Sequence, residues 1–236
     1  MKKYYKISGL TVEMDSFGYT VTQAEPYLTE KSENPDIKIV TDWKSLMEQQ
    51  PHLSDEDCEY LATGACFYYH LLGFDGMLVH SSAVVMDGEA YLFSAPCGTG
   101  KSTHTALWRK VFGDDRAKIL NDDKPALRLE DGVWYAYGTP WSGKTDQNIN
   151  IKVPLKGICF IHQSKENHIE PFTGKDAVFA LFGQTARPAG ANARIRVLEL
   201  MDKLFEKVPV WKMGCNMEDD APRVSYEAMR KGVVKK

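Results

Sequence analysis

The sequence predicts an α/β fold built on a mixed, partly antiparallel sheet, and three observations carry that prediction. Two Asp-Gly pairs, Asp87-Gly88 and Asp131-Gly132, each join two apolar runs of strand length. Both central positions of such a tight turn need positive φ, which makes Asp-Gly a strong local hairpin signal. A glycine-rich stretch, "APCGTGKS" at 95–102, stands between an apolar strand pattern and a helical one. The last third of the chain turns to helical periodicity.

The elements follow in order. Leu10, Val12 and Met14 alternate with polar residues as a half-buried strand requires, and "PDIKIV" at 35–40 is a second short strand. A helix is expected over 54–72: Ser54 is a good N-cap with Asp57 three residues on, Leu61, Ala65, Tyr68 and Leu72 recur at helical spacing, and Gly73 ends it. "SSAVVM" and "EAYLFS" form the first Asp-Gly hairpin, and "STHTALWRKVF" reads as the helix after the glycine-rich loop. "AKILNDD" is an apolar strand, "ALRLE" and "VWYAY" form the second hairpin, and "NINIKVPLKGICFIH" holds one or two further strands. Helices are expected at about 175–186, 191–206 and 221–233, with a strand "VPVWKM" at 208–213. Residues 1–75 read as a small strand-plus-helix region packed on a core of 76–236.

Bulk properties exclude several classes. The 236 residues are 43% hydrophobic and 26% charged, with a net charge of -3. Acids are interspersed among the bases, so neither nucleic acid nor an anionic membrane is expected as a partner. Five cysteines, without a CxxC pair, read as reduced thiols. The start, "MKKYYKISGLTVEMDS", lacks an apolar signal core, and no run of about 18 apolar residues is present. The expected location is cytoplasmic.

The 95–102 stretch fits the pattern G-x-x-x-x-G-K-[ST] with Ala95 in place of the first Gly, a tolerable change if that position keeps ordinary φ. Ala95, Pro96, Cys97, Gly98, Thr99, Gly100, Lys101, Ser102 and Thr103 then make an anion-binding loop. Successive N–H groups and a helix N-terminus would face the phosphates of ATP or GTP, Lys101 would reach the β and γ oxygens, and Ser102 would offer its hydroxyl to Mg²⁺. The plain reading, a glycine-rich turn with a surface Lys, is weakened by the strand before the loop and the helix after it. Because the loop leaves the second arm of a tight hairpin, an ordinary all-parallel nucleotide-binding sheet is not expected.

Asn121, Asp122 and Asp123 close the next strand. An acid at the tip of a strand beside the loop strand can hold Mg²⁺ directly or through water. A second acid, diverging from the first, suits the base that a kinase needs near its acceptor hydroxyl. Against this, "DDKP" is turn-like, and one Asp could simply cap the turn. His80 ends the "MLVH" strand and could sit beside the phosphate site, although a lone His after an apolar run is more often structural. His104 is expected to pack or to face solvent. In "YGTPWSGKTDQN" at 137–148, Trp141 could stack on a base or anchor the loop, and Lys144 could neutralise a phosphate. Arg187, Arg194 and Arg196 are expected on solvated helix faces, and Cys215 as structural.

The ordered run of His80, hairpin, loop, helix and Asp122-Asp123 resembles the catalytic domain of HPr kinase/phosphorylase and, more distantly, the nucleotide domain of ATP-dependent phosphoenolpyruvate carboxykinase. The likeness covers roughly residues 76–165, under half of the chain. It implies that Lys101 and Ser102 bind nucleotide phosphates and Mg²⁺. One aspartate, Asp122 in the first assignment, would bind the metal, and the other would take the acceptor proton with support from His80. The arginine-rich C-terminal loop of HPr kinases is not found, so HPr itself is not carried over as acceptor. The expected activity is an ATP-dependent phosphotransferase acting on a hydroxyl, a seryl group of a protein, a peptide or a small molecule. The alternatives are a nucleotide-binding accessory protein with little turnover and, more weakly, a nucleotide-dependent carboxylating or decarboxylating enzyme. A homo-oligomer is admitted but not required.

Overall fold

The computed structural model describes residues 2–232. The chain opens with β1 (Lys3–Ile7) and β2 (Leu10–Met14), joined through Ser8-Gly9 with both residues at positive φ, 52° and 77°. This first strand was not expected from the sequence; its short "KYYKI" has no clean alternation. Then come α1 (Gly18–Ala24), β3 (Ile37–Ile39), α2 (Trp43–Gln49) and α3 (Asp55–Leu71), with β3 lying parallel to β2.

Helix α3 starts as its sequence requires. Ser54 Oγ accepts from the Asp57 N–H at 3.0 Å, and Asp57 Oδ2 accepts from the Ser54 N–H at 3.3 Å, a complete capping box. Of the expected face, Tyr68 and Leu72 are buried. Leu61 and Ala65 are exposed, whereas Tyr60, Gly64, Phe67, Tyr68 and Leu71 are buried. The cause is Trp141, whose indole stacks on Phe67 at 4.9 Å and lies so close to Gly64 that a Cβ there would come within 2.9 Å of it. That partner is distant in sequence and invisible to helical periodicity.

The larger sheet is built from β4 (Gly76–Leu78), β5 (Ser82–Met86), β6 (Glu89–Ser94), β7 (Ala117–Asn121), β8 (Ala126–Glu130), β9 (Val133–Tyr137), β10 (Lys152–Gln163), β11 (His168–Pro171) and β12 (Val210–Cys215). Its order is β4-β8-β9-β10-β6-β5-β7, with β12 paired to β10 and β11 to β12. Helix α4 (Lys101–Phe112) follows β6, α5 (Gly174–Gly183) and α6 (Ala191–Lys207) precede β12, and α7 (Ala221–Lys231) closes the described chain. The expected 175–186 helix stops at Gly183, the expected 148–162 strands are the single β10, and residue 233 of the last helix lies outside the described residues.

Both Asp-Gly hairpins form, and all four turn residues take positive φ: Asp87 52°, Gly88 80°, Asp131 48° and Gly132 78°. The sheet is mixed, as expected. β5–β6, β5–β7, β4–β8 and β8–β9 are antiparallel, whereas β6, β10 and β12 run parallel. β10 changes role along its length: Lys152–Pro154 pair antiparallel with β9, Leu155–Phe160 pair parallel with β6 across a register shift between Leu155 and Gly157, and Ile158–Gln163 pair parallel with β12.

β6 is buried on both faces, which explains its nearly continuous apolar run. Ala90 and Leu92 face a cluster with Ile158, Leu200 and Leu204, while Tyr91 and Phe93 face Trp108, Met213 and Met229. A third cluster joins Tyr5, Val12, Tyr27 and Phe67 to Ala126, Tyr137 and Trp141, so residues 1–75 share buried surface with the second hairpin. No helix among the described residues is long and apolar enough to cross a membrane.

Glu59 of α3 is 1% exposed and accepts a hydrogen bond from Thr20 Oγ1 at 2.5 Å. Burial pushes its carboxyl up to about 7; hydrogen bonds from Thr20 and the Phe17 N–H offset only part of that. The folded state therefore prefers the protonated carboxyl, and this contribution is lost as pH rises through about 7. Urea denaturation at pH 5 and pH 8 should show Glu59 costing about 1–3 kcal/mol at the higher pH. Glu59→Gln should flatten that part of the dependence.

Candidate functional site

The 95–102 loop leaves the end of β6 and turns directly into α4. Gly98 and Gly100 take φ of 78° and 115°, conformations a side chain resists, and Ala95 has no positive φ. Gly100 is the N-cap of α4 and offers no side-chain cap, so no side chain occupies the first N–H groups of the helix. Lys101 is 8% exposed and folds back, its Nζ donating to the carbonyls of Ala95 at 3.0 Å and Pro96 at 3.4 Å. Burial lowers its pKa from the ordinary lysine value, partly opposed by Cys97, Asp123 and Asp122.

A cleft of about 470 Å³ opens over this loop. It brings together His80, Cys97, Gly98, Gly100, Lys101, Ser102, Thr103, Asp122 and Asp123, all expected from the sequence, with Ser142 to Thr145 of the 137–148 loop, in which Lys144 is a candidate. Thr99 instead lines a neighbouring cleft, and Ala95 and Pro96 act through the carbonyls that hold Lys101.

One expected relation is wrong. The aspartate strand β7 is not beside the loop strand β6, because β5 lies between them and pairs with both. The hairpin forces this: β5 must pair with β6, and β7 then adds to the free edge of β5. β5 in turn supplies a site residue that sequence reading missed. Ser82 donates its hydroxyl to Asp122 Oδ1 at 2.5 Å and sits 2.7 Å from Thr105 Oγ1.

The two acids diverge. Asp122 is 7% exposed, and Oδ2 accepts from Thr145 Oγ1 at 2.8 Å, so both carboxylate oxygens meet neutral hydroxyls. Asp123 turns the other way. Its Oδ1 lies 2.9 Å from His80 Nε2, and its Oδ2 pairs with Lys124 Nζ. Burial, the largest influence, pushes the Asp123 carboxyl up, but His80 and Lys124 together hold it below the ordinary carboxylate range. His80 is clamped from behind: Nδ1 lies 2.9 Å from Gln184 Oε1, and its backbone N–H donates to Gln184 O at 2.7 Å.

Neither Asp caps the following turn. Asn121 does, its Oδ1 accepting from the N–H groups of Asp123 at 3.0 Å and Lys124 at 2.7 Å while its Nδ2 donates to Thr139 O at 2.9 Å. Both aspartates line the cleft instead.

Trp141 does not reach the cleft. It is fully buried and donates to Thr63 Oγ1 at 3.2 Å, which makes it the anchor of its loop. Lys144 does line the cleft. Arg196 binds Asp75 at 2.6 Å and Glu199 at 2.9 Å, away from it, and His104 is buried against Phe93 at 4.5 Å. Ser82, Thr105, Thr145 and Gln184 carried no local signal, because each is recruited by partners at least 23 residues distant. Among the described residues no group of three or more His, Cys, Asp or Glu could hold a metal ion by itself.

Trp141→Ala should lower the unfolding free energy by about 3–5 kcal/mol in urea, as removal of a buried large aromatic does.

The chain matches the family described as SynChlorMet cassette protein ScmC over residues 53–220, and it belongs to that family. No curated protein matches it. Among solved structures it is similar to the Hpr(Ser) kinase/phosphatase from Coxiella burnetii, at 9% identity and a TM-score of 0.36, covering 64% of this chain and 94% of that one.

Proposed function

We propose that this member of the ScmC family is an ATP-dependent phosphotransferase that moves a γ-phosphoryl group to the hydroxyl of an acceptor, a seryl group being the expected class. The observation that carries the reading is the division of labour between two adjacent acids. Asp122 is surrounded by neutral hydroxyls, whereas Asp123 is backed by an imidazole that is itself held in place. A hydrolase that only positions water has no need of the second arrangement.

The nucleotide phosphates would lie on the N–H groups of the 98–102 segment at the start of α4. Lys101 would exchange the carbonyls of Ala95 and Pro96 for phosphate oxygens, gaining a charged partner for a buried ammonium. The acceptor hydroxyl attacks the γ phosphorus and gives its proton to Asp123. The new O–P bond forms as the bond to the bridging oxygen breaks, and that electron pair leaves with the nucleoside diphosphate. His80 keeps Asp123 ionised and aimed, and Gln184 keeps His80 from rotating.

Asp122 and Ser102 fit Mg²⁺. One carboxylate and one hydroxyl suit an ion that keeps waters and takes phosphate oxygens for the rest of its shell. When bound, the ion would neutralise phosphate charge. Thr145 and Ser82 hold the Asp122 carboxylate in one orientation.

The direct test is to incubate the protein with Mg·ATP and lysate from its source, and to identify by mass spectrometry what gains phosphate. A labelled hydroxyl supports transfer; slow hydrolysis with no labelled acceptor favours the accessory-protein reading. Lys101→Ala should abolish nucleotide binding. Asp123→Asn should keep binding and lose about 10²–10⁴-fold in turnover, the usual share of a general base. Unchanged turnover in both Asp122→Ala and Asp123→Ala would sink the kinase assignment. Gln184→Leu should lower kcat about tenfold with the nucleotide Kd unchanged, and Gln184→Asn should recover part of the loss.

A further inference from the structure

The loop borders two clefts. The second, of about 400 Å³, shares Gly98, Gly100 and Thr103 with the first but has different walls. They are Leu107 of α4, Gln163 at the end of β10, Cys215 at the end of β12, and Asn216 and Met217 after it. β6, β10 and β12 are parallel and end on the same edge, Phe160 standing opposite Ser94 and Gln163 opposite Cys215. The crevice outside the carboxyl ends of parallel strands is where open α/β sheets bind ligands.

The two clefts differ in charge. The first is lined by His80, Lys101, Asp122, Asp123 and Lys144, a setting for phosphates and proton transfer and a poor one for an aromatic ring. The second has no Asp, Glu, Lys or Arg in its lining. Met217, 76% exposed, and Leu107 give it apolar walls, and the Gln163 amide offers both a donor and an acceptor.

His104 belongs to the lining of this cleft as well. His104 is 2% exposed, and the Trp108 indole N–H, which can only donate, donates to His104 Nε2 at 3.3 Å. The same Nε2 lies 3.1 Å from Ser225 Oγ, which also accepts from the Trp108 indole at 3.2 Å, and burial pulls the imidazole pKa down to about 4. The imidazole Nδ1 is buried with no hydrogen-bond partner.

We propose that the second cleft takes the nucleoside of the bound nucleotide, its base against Leu107 and Met217 and its phosphates crossing Gly98–Gly100 to reach Lys101 and the aspartates. The assignment rests on the phosphate-binding reading of the loop and adds the location of the base. It makes the loop a saddle with an uncharged ring site on one flank and a charged transfer site on the other.

Two measurements on the full chain test it. Photolabelling with Mg·8-azido-ATP should place the label on peptides containing 163–164 or 215–217; a label confined to other segments overturns the assignment. Calorimetry should show ATP binding about tenfold tighter than inorganic tripolyphosphate, and Leu107→Trp, which fills the cleft, should remove that advantage while changing tripolyphosphate affinity less than about twofold. If Leu107→Trp binds ATP as the wild type does, or if the wild type binds tripolyphosphate as tightly as ATP, the base lies elsewhere and the phosphate reading survives. If the wild type binds neither ligand, the phosphate reading fails and takes this inference with it.

Discussion

Everything at the cleft depends on the antiparallel pairing of β5 with β6 through the Asp87-Gly88 turn. With Ser82 set opposite Phe93, the chain entering β5 lies beside the chain leaving β6. His80, Ser82 and the 95–102 loop therefore share one edge, although more than ten residues separate the first from the last. The pairing of Ala83 with Asn121 then brings the end of β7 to the same edge, and Asp122 and Asp123 with it. A turn of two residues at positive φ thus sets the positions of groups from three different strands.

What keeps the edge in order is a chain of satisfied buried polar groups. Asn121 holds the turn after β7 through two backbone N–H groups and reaches across to Thr139. Tyr68 of α3 donates to the Lys124 carbonyl and lies 3.1 Å from the Thr139 hydroxyl, tying the N-terminal helix to the same turn. Such networks are costly if broken, because each buried group left without a partner loses about 1–3 kcal/mol. Neither acid has to hold the turn's backbone, because the Asn121 amide and the Tyr68 and Thr139 hydroxyls do so.

The parts legible in the sequence were those set by neighbours. Both Asp-Gly hairpins, the Ser54 capping box, the loop–helix junction and the divergence of the two acids all arise within a few residues, where turn chemistry and capping act. The parts that were not legible need distant partners. The buried face of α3 is set by Trp141, the backing of His80 by Gln184, and the anchoring of Asp122 by Thr145. The hairpin sets β5 beside β6, and β7 on the far edge of β5 places the two acids one strand farther from the loop strand than the sequence suggests. β1 and β11 are short strands of five and four residues, too short for alternation to stand out in the sequence.

β10 has a further consequence for how the molecule can move. It is one unbroken strand that pairs with β9 near its start and with β6 and β12 farther on. A rotation of the antiparallel half against the parallel half would have to tear that ladder, so the floors of the two clefts behave as a single stiff plate. Any adjustment to a ligand is then left to segments outside the β-ladder: the 95–100 loop, the 142–145 turn and the 216–217 rim. The protein sets a continuous sheet beneath short loop segments that stand on either side of the 95–102 loop.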